Sequence, residues 1–227
     1  MNKTKIEWTD YTWNPITGCL HGCSYCYARK INSRFRNDAF TPTFHEKRLE
    51  DPIKLKKPSL IFTVSMGDMF GSWVPKVWVD RVFGIMKQCP QHVFQILTKN
   101  PKRINELVSG DMYSPNIWLG TSVESMDFIQ RVWDLQKVPQ FHKFISFEPL
   151  LGFPGLTDES VNGIEWIIIG AQTDPIRIPE PIWITRVIEA ANLRNIPVFE
   201  KNNLGQVFRQ KYPPEMRSYR GSGQSHP

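Results

Sequence analysis

Three of the four cysteines fall within one octet, Cys19-Leu20-His21-Gly22-Cys23-Ser24-Tyr25-Cys26, giving the spacing C-x3-C-x2-C. Thiolates at such spacing can wrap one corner of an iron–sulfur cubane. Three sulfurs for four irons leave one iron free of cysteine, and an open position is what lets a catalytic metal site bind a small chelating molecule. The same residues admit a second chemistry. Zinc takes four ligands, which here means the three cysteines with His21 or His45. A disulfide plus a free thiol is a third arrangement. Gly18 and Gly22 let the chain turn sharply around the octet. Cys89 stands apart, before Pro90 at the end of an expected helix.

The elements that must position this loop follow from apolar periodicity. Short runs rich in β-branched and aromatic residues read as strands at 11–16, 59–64, 92–97, 117–121, 143–147, 165–169 and 197–200. Several are apolar almost throughout, as parallel strands covered on both faces are. Between them, 78–88, 126–136 and 183–194 repeat apolar residues at helical spacing, and a further helix follows Cys26 through Ala28, Ile31 and Phe35. Strands alternating with helices predict an α/β fold with a parallel sheet. An open doubly wound sheet and a barrel both satisfy the periodicity. Six to seven strands in 227 residues are too few for a complete eight-fold barrel and suit a partial one. The expected domain covers residues 1–212, with a loose tail at 213–227. Residues 37–58 read as an excursion before the second strand.

Polar or small residues follow nearly every strand: Ser65, Gly67 and Asp68; Thr98 and Lys99; Ser122 and Glu124; Ser146 and Glu148; Gly170 and Gln172; Glu200 and Lys201. In parallel α/β folds the carboxyl ends of strands converge on one rim, where ligands bind. Lys99 and Lys201 can meet phosphate or carboxylate there. Trp8, Trp13 and Trp73 lie in sequence near the same rim, where core or lid packing is the first reading and stacking on a nucleobase or an adenine ring the second.

Composition sets the outer bounds. Aromatic content of 12% argues against disorder. No apolar run approaches the ~20 residues of a membrane span. The first residues lack a signal-peptide core, so a cytoplasmic, reducing location is expected, where clustered cysteines serve as metal ligands or catalytic groups. A formal charge of +6 is compatible with nucleic acid as a partner.

The octet resembles the radical S-adenosylmethionine signature, C-x3-C-x-aromatic-C, with Tyr25 as the aromatic, placed after a first strand and before a first helix. More narrowly, the chain resembles a phage- and bacteria-associated family with a three-cysteine motif and no assigned substrate. Ile6-Glu7-Trp8-Thr9-Asp10, Thr12-Trp13-Asn14-Pro15, Gly18-Cys19, Cys26-Tyr27-Ala28, Ser65-Met66-Gly67-Asp68-Met69-Phe70, Leu97-Thr98-Lys99, Ser122-Val123-Glu124 and Glu148-Pro149-Leu150-Leu151-Gly152 carry that likeness over roughly residues 5–212. The resemblance implies a partial (β/α)6 barrel and a [4Fe–4S] cluster on Cys19, Cys23 and Cys26. It implies S-adenosylmethionine on the fourth iron, reductively cleaved to a 5′-deoxyadenosyl radical. It also implies an electron donor of flavodoxin- or ferredoxin-like type.

Carried onto this chain, the amino-group site falls on Asp68 or the Ser65–Gly67 backbone, where the superfamily often has Gly-Gly-Glu. Ser122 and Glu124 fall where ribose or carboxylate is contacted, and Glu148 where a ribose hydroxyl is bound. The narrower family's Gly-Gly-Glu-Ser-Gly reads Gly170-Ala171-Gln172-Thr173-Asp174 here, without the acid at its centre. A radical enzyme whose substrate the sequence does not identify is thus the leading expectation, with a nucleobase in DNA or RNA as the first guess and a peptide or small metabolite still open. A zinc-stabilised, non-catalytic nucleic-acid-binding module is the alternative, and a degenerate barrel serving as a scaffold is a third.

Overall fold

The computed structural model describes residues 1–35, 40–205 and 209–219. Eight strands form the main sheet: β1 (Asn2–Lys3), β2 (Tyr11–Trp13), β3 (Leu60–Thr63), β4 (Val93–Thr98), β5 (Ile117–Ser122), β6 (His142–Phe147), β7 (Trp166–Ile169) and β8 (Val198–Glu200). Their spatial order is their sequence order. All neighbouring pairs from β2 to β8 are parallel, and β1 adds antiparallel to β2. The helices between them are α1 (Tyr27–Phe35), α2 (Lys76–Gln88), α3 (Lys102–Leu107), α4 (Gln130–Gln136) and α5 (Pro181–Leu193).

This order decides between the two architectures that periodicity allows. A doubly wound sheet reverses its strand order and carries helices on both faces. Here one core joins helix residues such as Val82, Met86, Val132, Leu135 and Val187 to Ile61, Phe94, Leu119, Ile145 and Ile167 of the strands. The residues alternating with these point to the other face and form a second core: Leu60, Phe62, Val93, Trp118, Phe144, Trp166, Ile168 and Phe199, with Trp8, Tyr212 and Met216. Helices outside and side chains inside make a partial (β/α) barrel with β1 and β8 as its two edges. The interior is filled by large rings, with Trp8 and Trp166 in edge contact at 6.1 Å. Gly120 makes room for one of them, since a Cβ there would lie 2.5 Å from the Phe144 ring.

The segments that flank the barrel also meet. Tyr212 Oη donates to Glu7 O at 3.0 Å, and Glu7 Oε2 accepts from Asn202 N at 2.8 Å. Pro214–Arg217 forms one helical turn whose Met216 is fully buried. Packing therefore runs beyond residue 212, and residues 220–227 lie outside the described residues.

Several boundaries differ from the sequence expectation. The run 11–16 divides after Trp13, and Ile16–Thr17 pairs instead with Thr43–Phe44 in a small hairpin. The stretch 126–136 opens with a tight turn at Met126–Phe128 before α4. Residues 37–58 contain that second hairpin strand and two one-turn helices, Glu46–Leu49 and Asp51–Lys54, and their first three residues lie outside the described residues. Among the described residues no helix is long and apolar enough to cross a membrane.

Candidate active site

The cysteine loop leaves the small hairpin at Gly18 and returns to regular structure at α1. Gly18 has φ of +89°, and a Cβ there would run into the Thr41 carbonyl. Gly18 N donates to Met66 O at 2.9 Å and Cys19 N to Phe40 O at 3.1 Å, so the loop lies against the end of β3. Arg29 Nη2 donates to Cys19 O at 2.7 Å, and Cys26 N to Cys23 O at 3.2 Å. All four cysteines are free thiols, and Cys19, Cys23 and Cys26 are partly exposed. Cys89 is buried at the end of α2, in the core between helices and sheet.

Cys19, Cys23 and Cys26 line one cavity of about 430 Å³ at the carboxyl ends of the strands. Ser65, Gly67, Asp68, Ser122 and Glu148 share that lining with Trp8, Phe62 and Leu97. Glu124 sits one step away, bonded to Tyr25. Trp8 forms part of the cavity floor. Trp73 packs edge-on against His21 at 4.9 Å. Trp13 is not at the mouth: it is buried in the helix-side core, with Nε1 donating to Arg48 O at 2.7 Å.

Two carboxylates tie the loop to the strands. Asp68 is buried and accepts four hydrogen bonds. They come from His21 Nε2 at 2.8 Å, Thr98 Oγ1 at 2.6 Å, Lys99 N at 2.9 Å and Phe70 N at 3.0 Å. Burial opposes its charge, yet these donors, His21 foremost, hold its carboxyl below the usual range. Glu124 is also buried. It accepts from Tyr25 Oη, from Lys99 Nζ, and from Arg131 Nη1 at 2.8 Å. Burial again opposes the charge, and Lys99, Tyr25 and Arg131 together lower the carboxyl's proton affinity. Burial and the nearby Glu124 charge push the Tyr25 phenol up, so it stays a donor. The aromatic between Cys23 and Cys26 is thus pinned across the mouth. Sequence reasoning placed both acids at the rim but missed these anchoring partners, because Tyr25 and Glu124 are 99 positions apart.

Glu148, on the far side of the cavity, pairs with Lys201, and Gly170 leaves them space, its Cβ position lying 3.0 Å from each side chain. Ser65 exchanges hydrogen bonds with Asn14, while its carbonyl accepts from Tyr27 Oη at 2.6 Å. Lys30 reaches Asp174 Oδ2 at 3.0 Å, joining α1 to the loop after β7.

The donor set fits an iron–sulfur cluster in kind: three soft sulfur donors face one cavity from one loop. Burial, followed by Asp68 and the other two cysteines, pushes the Cys19 thiol up to about 12, and a bound cation would reverse that field. The histidines available to a zinc site are engaged elsewhere, His21 with Asp68 and His45 with Thr17 Oγ1 at 2.7 Å. Among the described residues no three His, Cys, Asp or Glu side chains already converge on a single ion.

Solved structures share this fold. Spore photoproduct lyase complexed with dinucleoside spore photoproduct superposes with a TM-score of 0.55 at 9% identity, over 75% of this chain and 58% of that one. A single-site mutant of spore photoproduct lyase gives 0.53 at 11% identity, over 83% and 62%. The chain therefore spans less than two thirds of either protein's length. No curated protein matches its sequence. A family model described as "Protein of unknown function (DUF5131)" matches residues 3–222, nearly the whole of the barrel and its loops, and the chain belongs to that family.

Proposed function

We propose that the chain is an iron–sulfur radical enzyme. Cys19, Cys23 and Cys26 would hold a [4Fe–4S] cluster, and the cavity beside them would bind S-adenosylmethionine. The observation that carries this reading is three free thiols lining one cavity at the carboxyl ends of parallel strands. When bound, such a cluster supplies one electron to S-adenosylmethionine, whose cleavage yields a 5′-deoxyadenosyl radical able to take hydrogen from substrate.

The chain's own residues divide into two groups. Asp68 accepts from four donors of the protein and Glu124 from three, so both would serve first to fix the loop beside the cofactor. Ser122 and Glu148 face the cavity and would hydrogen-bond the cofactor's polar groups, with Lys201 orienting Glu148. Trp8, Phe62 and Leu97 form an apolar floor that excludes water from the reacting centre. For the substrate we favour a nucleobase carried on nucleic acid, from the surplus of six positive charges and the aromatic floor.

Anaerobic reconstitution tests the reading. A brown protein with about four irons per chain is expected. With a strong reductant it should convert S-adenosylmethionine to 5′-deoxyadenosine, and Cys23→Ala should lose both iron and activity. One tightly held zinc, with no cleavage under reductant, would sink the proposal.

A further inference from the structure

An electron must reach the cysteine loop while the main cavity holds cofactor and substrate. The loop has a second side. A groove of about 310 Å³ runs between α1 and the start of the sheet, with Ile31, Phe35, Phe40, Met66 and Arg48 in its walls. Met66 and Phe40 are the residues whose carbonyls accept from Gly18 N and Cys19 N. Phe40 lines both spaces. Groove and cavity therefore adjoin at Phe40, beside the stretch of backbone that carries Cys19.

The groove's border has a distinct chemistry. α1 begins one residue after Cys26 and carries Arg29, Lys30 and Arg34 without a carboxylate. Ile31 and Phe35, one turn apart, are 40% and 81% exposed. Arg48 adds a cation on the opposite wall. Lys30 is paired with Asp174 and Arg29 with the Cys19 carbonyl, while Arg34 and Arg48 border the exposed apolar side chains with positive charge, a surface complementary to an acidic protein.

We propose that this groove and the outer face of α1 dock a small acidic one-electron carrier protein that bears flavin. The inference rests on the enzymatic reading above. In the step it serves, the carrier is oxidised by one electron and the centre held by the cysteine loop is reduced by one, with no bond made or broken in the transfer. Positive charge on α1 steers the carrier's encounter, and the apolar pair seats it beside the Cys19 backbone.

The test compares two reductants on the reconstituted chain: an acidic flavodoxin reduced by its reductase, and dithionite, which needs no docking. Arg34→Glu should raise the KM for flavodoxin about tenfold while leaving dithionite-driven formation of 5′-deoxyadenosine unchanged. Lys137→Glu, the same charge change at the end of α4, should alter neither. Added salt should weaken the wild type's use of flavodoxin more than the variant's. Ser33→Glu, also exposed on α1, repeats the test should Arg34→Glu lose dithionite activity through misfolding. An unchanged flavodoxin KM in the α1 variants, an equal loss in Lys137→Glu, or a dithionite-active wild type that flavodoxin cannot drive overturns the docking site. A wild type inactive even with dithionite removes the enzymatic reading and the docking site with it.

Discussion

Two carboxylate–imidazole pairs sit near opposite ends of the same barrel, and they do different work. At the mouth, His21 meets Asp68 at 2.8 Å, and the aspartate side chain is 5% exposed. At the amino ends of the strands, His142 Nδ1 meets Glu165 at 2.6 Å, but the glutamate is 39% exposed. Asp68 has four donors from four residues and is closed off from solvent. Glu165 has His142 and a long contact from Lys143 N at 3.3 Å, with solvent on its open side. His142 spends its other face stacking on Trp118, at 4.5 Å and 11° between planes. The lower pair completes a closed, aromatic packing. The upper pair fixes a thiol-bearing loop beside an open cavity. Similar side chains are turned to structure or to a site by burial and by the number of donors aimed at them.

The sharpest test of this contrast lies in the packed interior. Trp166 is fully buried, touches Trp8, Phe144, Phe199 and Tyr212, and donates from Nε1 to Lys211 O at 3.0 Å. Trp166→Ala should cost about 3–5 kcal/mol. For a chain of this size that lowers the melting temperature by roughly 6–20 °C, measurable by calorimetry. Folded variant should still take up its full complement of iron, because the cysteine loop is anchored at the other end. Reduced iron uptake per folded molecule would break the separation of the two ends.

Asp68→Asn should come next in size. An amide at this position turns one acceptor into a donor facing two of the four donors, either Thr98 Oγ1 and Phe70 N or His21 Nε2 and Lys99 N, a loss of about 1.5–3 kcal/mol. The pH dependence sharpens it. The folded carboxyl titrates below its unfolded value of about 3.9, so its stabilisation is present above that pH and fades as pH falls through the lower, folded value. Urea midpoints of wild type and variant should therefore converge on acidification below about pH 4. Iron retention should fall as well, because His21 is the loop's link to Asp68.

Much of the fold was legible in the sequence because buried parallel strands write themselves as apolar runs. All seven expected strands reappear within one sheet, whereas β1, two residues of Asn and Lys, carries no apolar signal. The split after Trp13 was hidden because the hairpin partner of Ile16, Phe44, lies 28 residues on, inside a charged stretch without periodicity. The burial of Met216 was hidden in the same way, since Pro213 and Pro214 read locally as a loop while the contact that orders them comes from Gln95. At the mouth, residue types named the candidates but not their partners. That Glu124 binds Tyr25, and that Glu148 binds Lys201, depends on strand order, which periodicity does not encode.

The smallest expected effect belongs to Glu165→Gln, and it completes the contrast. The glutamine carbonyl keeps an acceptor for Lys143 N, and its amide nitrogen can donate to Nδ1 of a neutral His142, so the geometry persists while the charge goes. Exposed ion pairs contribute about 0–1 kcal/mol, because water competes for both partners and salt screens them. The change should therefore lie within that range in urea titrations and shrink further at high salt. His142 is also held by the Trp118 ring, whose contact the substitution leaves untouched. A loss as large as that of Asp68→Asn would show that burial and donor number are not what separates the two pairs.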